Sequence, residues 1–346
     1  MLNFKKSTFL SFLMKKGFDA NKYITAQTKE INTRIKKFKK LYLEIGGKLI
    51  NDNHASRILP GYRKTTKIDI MKKLKSLEIL YCISAKDLES NKTLSTEKRT
   101  YQQQALRDIK NIQKFKLKVN YIVITRYTNE KKALEFKKTL EKKGYKVIIF
   151  NEITRYTTNI IHTLKGFQKH PFIKTKENLI IITGPAGNSG KMSVALSQIY
   201  HETKKKIQTG FAKYETFPIY NLSLNNPINI AYEAATADLG DKNMIDPYYK
   251  KTYKKNATNY NRDIENFGIL QQILRKITKR RYPFGYKSPT DMGINTVKQG
   301  IINLKICEKA AKKEIISRNK RYLYEYKKGR ENKKTIERMS QLMKRI

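Results

Sequence analysis

Apolar positions recur along the chain in two rhythms, and their alternation predicts an α/β protein. Residues 20–40 place apolar side chains at helical intervals among lysines and predict a basic helix. That helix feeds the apolar run 41–45, before Gly46 and Gly47 break the pattern. Helical spacing returns at 68–74, and 78–84 (EILYCIS) reads as a strand. The clearest unit comes next: a strand at 121–125 (YIVIT), an amphipathic helix over 130–143, Gly144 at its C-terminus, and a strand at 146–150 (KVIIF). In that order they form a βαβ crossover, which requires parallel strands and a right-handed connection. Repetition of such units predicts an open sheet. Residues 151–177 lose the periodicity and contain His170-Pro171, so a domain junction is expected there. A second sheet is expected to begin with the apolar run 178–183 (NLIIIT). From Ile301 onward the pattern reads as basic helices, with 306–316 amphipathic and 331–346 helix-like.

Directly after the run 178–183 stands Gly-Pro-Ala-Gly-Asn-Ser-Gly-Lys at 184–191, followed by a helix-like segment over 192–206. Strand, glycine loop and helix are the usual build of a phosphate cradle. Gly184, Gly187 and Gly190 let backbone N–H groups converge on an anion, the helix N-terminus adds positive potential, and Lys191 adds a full charge. The spacing departs from the P-loop pattern. Five residues separate Gly184 from Gly190 where the motif has four, and Met192 occupies the Ser/Thr position. Ser189 and Ser193 offer hydroxyls at other spacings. The alternative is a tight strand-to-helix turn with a surface lysine.

Charge changes the picture more than length does. The 346 residues suffice for two domains, and 39% apolar content fits a globular chain. Lys and Arg number 74 against 29 Asp and Glu, a formal charge of +45. Such a field attracts nucleic acid with a steep salt dependence, and tyrosines among lysines, as in 321–328 (RYLYEYKK), suit base stacking. The lysines are nevertheless spread along the whole chain. Abundant Lys, Asn, Ile and Tyr without Trp is also what an A/T-rich genome writes, so a compositional origin stands beside a nucleic-acid surface. Cys82 and Cys307 are far apart and form neither zinc spacing nor a disulfide framework, which predicts reduced thiols in a cytoplasmic protein. No apolar run approaches a membrane span, and no membrane partner is expected. Residues 1–16, acid-free with a short apolar stretch, read as an N-terminal extension.

One stretch inverts the charge rule. Residues 213–247 hold Glu215, Glu233, Asp238, Asp241 and Asp246 against Lys213 and Lys242. Asp238-Leu-Gly-Asp241 sets two carboxylates around a glycine, a pattern that can hold a hard cation by oxygen ligands. Beside a phosphate cradle that cation would be Mg²⁺. Capping and salt bridging are the alternatives: Glu233 has the spacing to face out of a helix, and Asp246-Pro247 is a helix-start signal. Polar turns at 259–265, with Asn261, Arg262 and Asp263, and at 286–295, with Lys287, Ser288, Thr290 and Asp291, either reach a ligand or satisfy their own backbone. His54, His162, His170 and His201 form no His-Glu-x-x-His, so a zincin peptidase is unsupported.

Together the stretches 40–61, 84–89, 123–126, 184–201, 212–247, 259–267 and 286–295 resemble a bacterial family known as domain of unknown function 1846. The resemblance covers about Gly17 to the end and rests most on the long, unusual run 212–247. It implies a cytoplasmic α/β protein with a P-loop-like loop and brings no established reaction. Family members look longer, with a further C-terminal domain that this chain is expected to lack. They tend to carry Cys where this chain has Ala195, and His where it has Tyr249.

The reading that results is an α/β chain of two open, mostly parallel sheets with flanking helices, the second carrying the P-loop-like unit. Its expected parts are the extension 1–16, a Rossmann-like domain 17–175, and a P-loop-like domain 176–346 with basic C-terminal helices. The expected activity is phosphoryl transfer or hydrolysis on a nucleotide or other phosphate ligand such as ATP. Gly184, Gly187, Ser189, Gly190, Lys191 and Ser193 would bind the ligand, Asp238 and Asp241 would hold Mg²⁺, and no catalytic residue is assigned. The alternatives are a non-enzymatic protein binding nucleic acid non-specifically and an inactive truncated family member. An oligomer is compatible with either.

Overall fold

The computed structural model of the protein describes residues 16–74, 76–91, 93–94, 99–278 and 285–346. The expected N-terminal extension, but for Lys16, lies outside the described residues. Seven strands build the main sheet: β1 (Lys40–Ile45), β2 (Glu78–Ser84), β3 (Val119–Tyr127), β4 (Val147–Asn151), β5 (Leu179–Thr183), β6 (Thr209–Tyr214) and β7 (Gly293–Ile294). They lie in the order β7-β6-β1-β5-β2-β3-β4, and every pairing is parallel. Parallel strands covered by helices on both faces must be apolar on both faces. The central strands obey: β2 and β5 are buried at every position.

The α/β class, parallel pairing and flanking helices follow the sequence pattern. The crossover between residues 121 and 150 also forms as expected, with β3 and β4 parallel around the helix Lys131–Lys142 and Gly144 at φ +80° just past its end. One difference is topological. The strand expected to open a second sheet, β5, inserts between β1 and β2, so strands from both halves of the chain share one sheet. Hydrophobic runs identify a buried strand without naming its neighbour, and here a central position buries both faces of Leu179–Thr183. The described residues add two short antiparallel pairs, Asn243–Ile245 with Thr258–Tyr260 and Thr93–Leu94 with Arg99–Thr100.

Buried ion clusters fix the helices over the sheet. Glu314, in the helix Leu304–Lys327, takes hydrogen bonds from Arg57 and Arg318, each at 2.8 Å, with the His54 ring 3.8 Å away. Glu233, expected as a candidate for an outward face, is instead buried, and its carboxylate pairs with Arg338 and Arg345 at the end of the chain. An ion pair in this setting orients helices strongly, because removing one member strands the other.

Acid should loosen this arrangement in a defined window. Burial alone would raise the Glu314 carboxyl, but the neighbouring His54 ring and hydrogen bonds from Arg318 and Arg57 outweigh it and hold the group at about 2 instead of 4.5. A depressed carboxylate contributes stability that is present above pH 4.5 and lost as pH falls toward 2. Glu314→Gln should cost about 3 kcal/mol at pH 7 and remove most of that acid-dependent loss. Urea unfolding at pH 7 and near pH 3 measures both effects, and a variant as stable as the parent at pH 7 would refute the assignment.

Candidate functional site

The connection leaving β1 passes over β5 to reach β2, whereas the one leaving β5 passes over β1 to reach β6. Neighbouring strands whose connections do diverge, β6 with β1 and β5 with β2, leave crevices at the carboxyl ends of the strands, where open α/β sheets bind ligands. Three features meet at that edge: the Gly46–Gly47 turn after β1, the glycine loop after β5, and Glu215 after β6.

The glycine loop is compact. Ser189 Oγ donates to the Ala186 carbonyl at 2.5 Å, and Lys191 Nζ donates to the same oxygen at 3.1 Å. Thr125 of β3 donates to the Ser189 carbonyl at 2.9 Å. Gly184 and Gly190 are needed sterically. A Cβ at Gly184 would strike the Cys82 carbonyl, and Gly190 sits at φ +75° with its Cα against Thr125. Gly190 also precedes the helix Lys191–Lys204 and has no side chain to cap it, so the first-turn N–H groups remain available to an anion. Gly187 and Asn188 are exposed at the tip, while Ser193 lies in the first turn, half-buried.

Glu44 links this loop to a buried charge cluster. In register, Glu44 of β1 faces Lys213 of β6, and Lys213 faces Gly293 of β7. The Lys213 ammonium pairs with Asp263 from the helix Asn261–Thr278 and lies 3.4 Å from the Tyr260 hydroxyl, which donates to Glu215 Oε1 at 3.4 Å. Burial opposes the Lys213 charge, but Asp263, Glu44 and Glu215 outweigh it and raise its pKa. Glu215 itself is pushed up to about 8, first by burial and then by the Asp263 charge, with Lys213 opposing. Burial and the Asp263 charge thus favour its protonated form. On the other side of Glu44, burial raises the Cys82 thiol, Lys191 opposes that shift and Glu44 adds to it. Burial raises the Tyr156 hydroxyl, and the Glu44 charge adds to that shift. One Glu44 oxygen, Oε2, is buried with no hydrogen-bond partner among the described residues.

The Gly46 turn completes the edge. A Cβ at Gly46 would collide with the Glu215 carboxylate, so only glycine lets the two strand ends approach. Lys67, 1% exposed, pins the turn by donating to the carbonyls of Gly46 at 2.9 Å and Lys48 at 3.1 Å while pairing with Asp52 at 3.0 Å.

The two expected cation ligands take separate partners. Asp238 is exposed and accepts from Tyr322 at 3.0 Å. Asp241 is buried against Arg262, at 2.7 Å and 2.9 Å, and accepts from Tyr232 at 3.2 Å. Among the described residues, no group of three or more His, Cys, Asp or Glu is placed to hold a metal. The polar turns resolve differently from each other. Asp263 joins the buried cluster, while Ser288 caps Asp291 and Thr290 bonds Asp246 Oδ2 at 2.7 Å. Asp246 caps its helix through Tyr248 and Tyr249, as the Asp-Pro signal predicts. Glu44 carried no sequence signal beyond a charged residue inside an apolar strand, and that oddity was the available clue.

Comparison with known proteins agrees with the sequence resemblance. Residues 16–346 match the family model described as domain of unknown function DUF1846, N-terminal. The chain belongs to this family. It is 44% identical over 333 residues to a UPF0371 protein of Clostridium tetani (strain Massachusetts / E88), covering 95% of this chain and 66% of the relative. A UPF0371 protein of Clostridium botulinum (strain Alaska E43 / Type E3) is 42% identical over 336 residues, covering 96% and 66%. The chain thus spans 66% of the length of these relatives. No helix among the described residues is long and apolar enough to cross a membrane.

The protonated Glu215 gives a signature independent of any ligand. Because its folded pKa is raised, its contribution to stability is complete below pH 4.5 and is lost as pH rises through about 8. Glu215→Gln imitates the protonated form. The variant should match the parent in melting temperature near pH 5 and exceed it by several degrees at pH 9. Parallel melting curves across that range would show that Glu215 ionises normally.

Proposed function

We propose that the chain is an enzyme acting on a phosphate-bearing small molecule at the carboxyl edge of the sheet. One juxtaposition supports this most. The uncapped helix behind the glycine loop, a carboxylate with an unpartnered oxygen at Glu44, and a protonated carboxyl at Glu215 come from three adjacent strands. In this reading the phosphate lies against the first turn of Lys191–Lys204 with Lys191 turning from Ala186 to meet it. Glu44 accepts a proton from the attacking water or hydroxyl, and Glu215 donates one to the leaving oxygen. Lys213 offsets the charge that builds between them. Two carboxyls in unlike environments are the usual basis for separate acid and base roles.

ATP with Mg²⁺ is one member of this ligand class. The Asp238 and Asp241 donor set does not fit a shared Mg²⁺, because Arg262 already neutralises Asp241. The phosphate alone is therefore the group these residues would hold. A cytoplasmic setting agrees with the free, buried thiols of Cys82 and Cys307. The +45 charge supports a second reading, non-specific nucleic-acid binding, which predicts an affinity falling by orders of magnitude as salt rises.

A thermal-shift screen of nucleotides and sugar phosphates, each with and without Mg²⁺, should find a ligand that raises the melting temperature at millimolar concentration. Lys191→Ala should abolish the shift. Glu44→Gln and Glu215→Gln should keep it and lower turnover by about 100-fold or more. The enzyme reading fails if no phosphate ligand moves the melting temperature, or if both carboxyl variants retain full turnover.

A further inference from the structure

The helix Leu304–Lys327 sorts its charges by face. Cys307, Ala311, Ile315 and Tyr322 recur at helical intervals along its inner side and are buried. Its three acids all have partners. Glu308 accepts from Asn226 at 2.7 Å, Glu314 from Arg57 and Arg318, and Glu325 from Arg330 at 2.6 Å. The opposite face carries Lys305, Lys309, Lys312, Lys313, Lys320 and Lys327, all exposed. None of these six side chains has a hydrogen-bond or ion-pair partner among the described residues.

A lysine-rich composition does not by itself produce such a row. The helix Lys131–Lys142 is rich in lysine too, yet Glu135 and Glu141 are exposed among its lysines. On the helix Leu304–Lys327 the like charges crowd instead: Lys309 stands three or four residues from Lys305, Lys312 and Lys313, where cations on one helix repel each other. A polyanion laid along the face relieves that repulsion. The buried inner side and the Glu314 cluster hold the helix in place beforehand, which lowers the cost of binding.

Length and composition of the face favour one kind of polyanion. The 24 residues extend about 36 Å, close to one turn of duplex nucleic acid at about 34 Å. The apolar side chains among the lysines are Ile316, 41% exposed, and Leu323, 37% exposed. Interfacial membrane helices sink a continuous apolar face into the bilayer, and two half-covered aliphatic groups do not supply one. No arginine stands in the row, and lysines contact phosphate as point charges without reading base edges. We propose that this face binds the phosphate backbone of duplex nucleic acid without regard to sequence. The inference rests on the second reading above, gives it a location, and uses none of the carboxyl-edge residues.

Anisotropy of the full chain with a labelled duplex of about 20 base pairs, two turns long, tests it across a salt series. Log affinity should fall against log salt with a slope of about −5, as expected when six lysines neutralise phosphates. Combining Lys309→Gln, Lys313→Gln and Lys320→Gln keeps helix-forming residues at exposed positions, so folding should be intact. That variant should bind at least roughly tenfold more weakly at low salt, with a slope shallower by about 3. A control combining Lys131→Gln, Lys138→Gln and Lys142→Gln loses the same charge from another helix and should bind nearly as the parent does. Equal losses in the two variants overturn the face and leave the second reading standing, since the charge then acts as a whole. Absence of salt-sensitive duplex binding by the parent overturns both. Phosphatidylserine vesicles that bind the parent but not the first variant, where the duplex binds neither, would assign the face to lipid and overturn the proposal.

Discussion

The arrangement of the site depends on where one apolar strand pairs. Leu179–Thr183 has no polar face to present to water, so it is stable in the centre of a sheet covered on both sides. Insertion between β1 and β2 gives it that environment, and it also carries the glycine loop to the strand end beside Glu44. The reversal of connections around β1 and β5 follows from the same pairing. Without it, the glycine loop would have no neighbouring carboxyl and Glu44 no adjoining loop.

Burial of charge imposes the second constraint. Lys213 stays charged within the fold because Asp263 reaches it from the helix Asn261–Thr278, and this fixes that helix over the end of β6. Asp263 then adds to the burial that keeps Glu215 protonated. A single ion pair thus sets a helix position and the protonation of a neighbouring group. Comparable pairs at Glu233 and Glu314 fasten the C-terminal helices, where no unpartnered carboxylate oxygen is left. That contrast sets Glu44 apart from Glu233 and Glu314, although among the described residues Glu78 and Glu202 also keep a buried carboxylate oxygen without a hydrogen-bond partner.

Positive charge on this chain is gathered in two ways. At the glycine loop the charge is mostly backbone, from N–H groups of an uncapped helix, with one lysine folded onto Ala186. Along the helix Leu304–Lys327 it is carried by side chains in one exposed row. Most of the remaining lysines lie on solvated faces, where screening limits their reach to about 8–10 Å at ordinary salt. Total charge is therefore a poor guide to any site on this chain, and local geometry is the better one.

Periodicity and local chemistry were enough for β1 to β5, the βαβ unit, the C-terminal helices, the Asp246 cap and the family, because each is encoded within a few consecutive residues or a run of them; they gave no sign of β6 or of the helices Tyr101–Lys114 and Asn261–Thr278. The pattern also located the glycine loop and the acidic stretch. It did not predict that Asp238 and Asp241 would take different partners, or that Glu233 would be buried, because arginines distant in sequence decide both pairings. Glu44 read as one charge in an apolar strand until its neighbours were known. Sequence alone therefore determined the strongly periodic elements and their apolar faces, since those follow from short-range spacing. Tertiary structure decided which strand lies beside which, and with it the protonation of Glu215 and the surroundings of Glu44, since burial and long-range Coulomb pairing exist only once the sheet has assembled.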